Sequence, residues 1–157
     1  MVKLSKSVIL IISTMCFSFA ALGAEAKSEK HAKGVIKNRQ AIFSLVKSNV
    51  GILGAMNKGK VPYNAETLKL NGMRIEQLAT MAPDYFKVDT SKFDLETEAK
   101  SEIWTDMDGF MQKGDALIQA AKGLQTAAAS GDEGQYKKAI GSLFKSCKSC
   151  HNDYKKD

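Results

Sequence analysis

Four stretches of this 157-residue chain repeat apolar side chains every three or four residues, and none alternates in the way a half-buried strand does. The first covers about residues 28–58 and carries Val35, Ile42, Val46, Leu53 and Met56, with Phe43 and Val50 beside that stripe. Gly59 and Pro62 end it. The second covers about 64–81, with Leu68, Met73, Ile75 and Leu78; Asn64 followed by Glu66 and Thr67 marks its start, and it stops before Pro83. A connection over 82–100 follows, rich in charge and turn formers and long for a compact domain. The third, about 101–130, holds Ile103, Trp104, Met107, Phe110, Leu117 and Leu124; Gly131 and Asp132 form a turn, and the fourth, about 132–154, holds Tyr136, Ile140, Leu143 and Phe144. Two short connections and one long one between amphipathic helices predict an all-α fold, an antiparallel four-helix bundle. Most of the Met and aromatic side chains, Trp104 included, read as core.

Residues 1–24 read as a secretory signal. Lys3 and Lys6 precede an apolar run from Val8 to Phe19, and the small residues Ala20, Ala21, Gly23, Ala24 and Ala26 follow. Cleavage after Ala24 or after Ala26 fits. The run is short for a membrane span of about 20 residues. Cys16 leaves with the signal, and bulky Met15 before it argues against lipid attachment there. Residues 25–157 then form one domain by length. The formal charge of +6 is scattered surface lysine that neither clusters nor interleaves with aromatics, so nothing reads as a nucleic-acid face.

The cysteines left after cleavage stand in the run Cys147-Lys148-Ser149-Cys150-His151. Two cysteines separated by two residues and followed by histidine is the attachment pattern of c-type haem. Each thiol adds to one vinyl group of the porphyrin, and the next residue's imidazole lies under the iron. A thioredoxin-like pair would sit in a βαβ pattern, which is not present. A structural zinc site needs four ligands, and His31 is far away in sequence. A disulfide across so small a loop stabilises little. Haem of this type is attached outside the bacterial cytoplasm, so signal and motif support each other and place the protein in the periplasm with one haem c per chain.

The chain resembles the class II c-type cytochromes, the cytochrome c′ family, in which the motif lies on the last helix of a bundle. The resemblance rests on Arg39-Gln40, on Gly54-Ala55-Met56 with Gly59 and Pro62-Tyr63, on Glu102-Ile103-Trp104, and on Ser146 through His151 with Tyr154. It implies that Cys147 and Cys150 are the thioether anchors and His151 the proximal iron ligand. It also implies that Arg39 pairs with a haem propionate, that Gln40 lines the same edge, and that Thr97 and Glu98 lie against the haem. A solvated arginine is the alternative for Arg39, but a guanidinium fork suits a buried carboxylate. Where the family often has an arginine four residues after the histidine, this chain has Lys155; Lys148, Lys155 and Lys156 read as solvated surface.

Low-spin relatives put a methionine four residues after the arginine of the first helix, one turn along the same face. Here that residue is Phe43, which has no lone pair for iron. His31 lies eight residues before Arg39, about 12 Å along a helix, and Met56 lies near the helix end. The expectation is therefore five-coordinate, high-spin iron under a crowded aromatic cap. Such a haem binds nitric oxide and carbon monoxide but, lacking a distal donor, is a poor oxygen carrier. Nitric oxide trapping or buffering is the reading favoured, and an electron carrier between periplasmic redox proteins is the rival. A peroxidase would need a distal histidine working with an arginine; no histidine stands near Phe43 in sequence, an acid–base group would have to come from another helix, and no enzyme activity is expected. The resemblance further implies a homodimer through the first two helices, with Ile36 or Ile52 in the contact.

Overall fold

The computed structural model describes residues 24–156, so all of the expected signal except Ala24 lies outside the described residues. Helix α1 is Glu29–Asn57, opened by Ser28, whose side chain accepts from the His31 N–H. Helix α2 is Ala65–Met81, and Asn64 caps it by accepting from the Thr67 N–H at 2.8 Å. The third expected helix is two: α3, Glu102–Thr105, and α4, Met107–Ser130. The break falls at Asp106 (φ −131°, ψ 55°), whose carboxylate caps α4 by accepting from the Gly109 N–H. The apolar stripe runs on across the break, which is why periodicity alone joins the two pieces. Gly131 ends α4 in the left-handed region at φ 71°, where a side chain would be strained. Asp132 then caps α5, Glu133–Tyr154.

The long connection has structure of its own. A 3₁₀ turn, Ala82–Phe86, leads into a two-residue strand β2, Val88–Asp89, which pairs in parallel with β1, Ala24–Glu25. No strand was expected, and pieces this short carry no readable alternation. The connection's end is tied to the end of α5: Lys100 N–H donates to Tyr154 O at 3.0 Å and Lys156 N–H to Glu98 O at 2.7 Å.

The four long helices pack as a four-helix bundle around Leu53, Leu68, Ile75, Leu124, Ile140 and Leu143, all fully buried. Each such side chain contributes about 1.5–3 kcal/mol on leaving water. Helices α2 and α4 lie close together at Gly72, where an added Cβ would lie 3.0 Å from Ala121 O and 3.1 Å from Leu124 Cβ. Two expectations change. Met73 points outward at 41 % exposure, because Gly72 and Ile75 supply the inward face, and Ile36 is buried rather than available for a dimer contact. A second, aromatic cluster of Phe86, Ile103, Trp104, Phe110 and Tyr154 forms separately.

Candidate haem site

Cys147 and Cys150 stand three residues apart on α5 and so share one side of the helix. Both are free and half-buried. Burial pushes both thiols up from their ordinary value, and for Cys150 the neighbouring Cys147 adds to the shift. Cys150 packs against the aromatic cluster beside Ala99 and Met107, while His151 is exposed. Among the described residues no three His, Cys, Asp or Glu side chains gather to hold a bare metal ion.

Two anchors hold the turn that carries His151. The buried Tyr154 hydroxyl, three residues on, donates to Asp106 Oδ2 at 2.6 Å. Burial and then the Asp106 carboxylate push that phenol up to about 12. Gly109 makes room for the pair, since a Cβ there would fall on both the carboxylate and the hydroxyl. On the adjoining side Lys113 of α4 reaches Ser149 Oγ and Asp153 Oδ2, each at 2.8 Å. Asp106, Gly109 and Lys113 were not singled out from sequence. Asp106 carries a readable signal as a short polar residue before an apolar run, whereas Lys113 looks like any surface lysine.

Facing these residues is the arginine face of α1. Arg39 is buried, and its guanidinium serves the protein: Nε donates to Tyr85 O at 2.7 Å, one Nη to Thr90 Oγ1 at 3.0 Å and the other to Val88 O. Its plane lies 4.6 Å from the Phe86 ring centroid and 5.0 Å from that of Trp104. Burial lowers its pKa to about 10, opposed in part by Asp89. Three of five N–H groups are used, so the propionate pairing implied by the resemblance has only the remaining two to draw on. Gln40 is exposed on the same helix.

One turn beyond Arg39, Phe43 is 39 % exposed and meets Phe86 edge-on, ring centroids 6.2 Å apart. Phe86 packs on Phe110 at 4.7 Å and accepts at its carbonyl from Trp104 Nε1 at 2.9 Å. Thr97 is half-buried and turns its hydroxyl to the Ala99 N–H. Glu98 is exposed and pairs with Lys155 at 3.3 Å, so Lys155 is a bridging residue and not simply solvated; Lys148 and Lys156 are exposed as expected. His31 sits at the start of α1, accepting from the Lys27 N–H, and Met56 belongs to the main bundle core. Neither joins the aromatic cluster.

The donor set suits a planar apolar cofactor held by two thioethers. Its neutral thiols share one helix side, an imidazole follows them, and aromatic rings surround Cys150. Comparison with known proteins agrees. A family model described as Cytochrome C′ matches residues 34–155. Cytochrome c′ of Cereibacter sphaeroides is 38 % identical over 138 residues, covering 87 % of this chain and 91 % of the relative. The structure of cytochrome c prime from Shewanella frigidimarina superposes with a TM-score of 0.72 at 36 % identity, covering 80 % of this chain and 97 % of that one. A nitric oxide complex of a variant cytochrome c prime from Alcaligenes xylosoxidans gives 0.69 at 30 % identity, with 80 % and 97 % covered. The match spans the arginine face of α1, the aromatic cluster and the cysteine–histidine run together, and the chain belongs to the cytochrome c′ family, whose members carry c-type haem.

Proposed function

We propose that this protein is a periplasmic haem c protein that binds small diatomic gases and traps or buffers nitric oxide. The observation that carries the reading is Phe43. It occupies the turn of α1 where a sixth ligand would stand, and its neighbour across the gap is another hydrocarbon ring, Phe86. The relative solved as a nitric oxide complex supports the choice of ligand.

Cys147 and Cys150 would hold one haem per chain, each S–H adding across a vinyl C=C to make a C–S and a C–H bond. Haem held there would supply an iron able to take a neutral diatomic ligand. His151 would donate its imidazole lone pair from the proximal side, on a turn fixed by Tyr154 and Lys113. Phe43 and Phe86 exclude water and offer no proton, which disfavours chemistry on the bound gas and dioxygen binding alike. No catalytic group is assigned.

Cleavage after Ala24 keeps the fully buried Ala26 and its N–H bond to Asp89 O at 2.8 Å, together with the Glu25–Lys92 ion pair at 2.6 Å. Cleavage after Ala26 would discard all of them. Leu45 and Ile52 on α1, with Leu70 and Met73 on α2, remain exposed and supply an apolar face for a second copy. The functional test is titration of the ferrous holoprotein with nitric oxide. A stoichiometric nitrosyl spectrum supports the reading, and a spectrum unmoved by excess gas overturns it in favour of electron transfer alone.

A further inference from the structure

The segment from Tyr85 to Thr90 has little to hold it in place by itself. It is the end of a 3₁₀ turn followed by a two-residue strand, and it carries Phe86, the ring against which Phe43 leans. On its outer side β1 pairs with it through Val88 and Asp89. On its inner side two side chains hold its polar groups: Trp104 Nε1 donates to Phe86 O, and Arg39 bonds Tyr85 O, Val88 O and Thr90 Oγ1 and lies over the Phe86 face. Thr90 is 2 % exposed, so without Arg39 its hydroxyl would lose the partner it has here. The convergence of three bonds from one buried cation ties the segment to α1. It fixes where the Phe86 ring stands relative to α1.

We propose that Arg39 is the positioning residue of the distal wall: by clamping residues 85–90 to α1 it locks Phe86 edge-on to Phe43, and so sets how fast a diatomic ligand reaches the iron. The inference rests on the reading of Phe43 as distal cap. Arg39 acts through Phe86 and does not itself touch the gas. A clamp of this kind works on entry and not on the iron's intrinsic affinity, because the rings must part for a ligand to pass.

The test is carbon monoxide association with the ferrous holoprotein, measured by flash photolysis for wild type, F43A, R39Q, R39K, T90V and the double variant F43A/R39Q. F43A should accelerate association by about tenfold or more, a barrier change of about one decade. R39Q and T90V should also accelerate it, T90V less, and R39K should lie between wild type and R39Q. The double variant should bind no faster than F43A alone, since the clamp has nothing to position once the ring is gone. If F43A is fast while T90V, R39K and R39Q keep the wild-type rate, Arg39 only stabilises the fold and the inference falls with the cap reading intact. Rates for F43A and R39Q that multiply independently in the double variant also overturn it. An F43A rate equal to wild type removes the cap itself. Should R39Q fail to fold, T90V decides, because it leaves the cation in place.

Discussion

Phe43 and Phe86 meet edge to face at 6.2 Å, a hydrocarbon contact between α1 and the long connection where a ligating sulfur could have stood. On the proposed reading, that pair is what separates this protein from a six-coordinate carrier.

Replacing Phe43 by methionine puts a thioether one turn from Arg39 on the same helix face. F43M should convert the iron toward six-coordinate low spin and weaken carbon monoxide binding by about tenfold or more, since the gas must then displace a ligand. The check is the visible spectrum together with equilibrium titration.

Tyr154 links stability to alkaline pH. Its phenol is raised to about 12 in the folded protein against an ordinary value near 10. A raised value means the contribution is complete below about pH 10 and is lost as pH climbs toward 12, where the unfolded chain has released the proton and the folded chain still holds it. The stability difference between wild type and Y154F should shrink as pH rises through that window. Urea melts of both proteins between pH 8 and 12 measure it.

Gly109 is required by space and not by backbone angle. G109A should cost about 1–3 kcal/mol through overpacking against Asp106 and Tyr154, whereas G123A, in open space on the same helix, should stabilise by about 0.5–1 kcal/mol. Thermal melts of the two alanine variants separate the cause.

The mature chain should begin at Glu25. Intact mass of the exported holoprotein checks this; a start at Glu25 gives up the Ala24–Val88 pairing and keeps Glu25–Asp89, whereas a start at Lys27 loses both.

Helix faces, the cysteine–histidine run and Phe43 were legible in sequence because each depends on local spacing: 3.6-residue periodicity, a fixed attachment motif, and one turn of helix. The break at Asp106 was not, because a cap interrupts the backbone without interrupting the apolar stripe. The role of Arg39 was half legible. Its burial follows from its place on the inward face, but its partners at Tyr85, Val88 and Thr90 lie some fifty positions away in a connection with no periodicity to read. Ile36 and Met73 went the other way for one reason: at the edges of an apolar stripe, the packing of the neighbouring helix decides which side chain is covered.

An iron with no protein ligand on the Phe43 side has a distinct vibrational signature. The resonance Raman spectrum of the ferrous holoprotein, without added gas, tests it most directly. The marker bands of five-coordinate high-spin haem with a single histidine ligand are expected; six-coordinate low-spin bands would mean that a side chain occupies the Phe43 side.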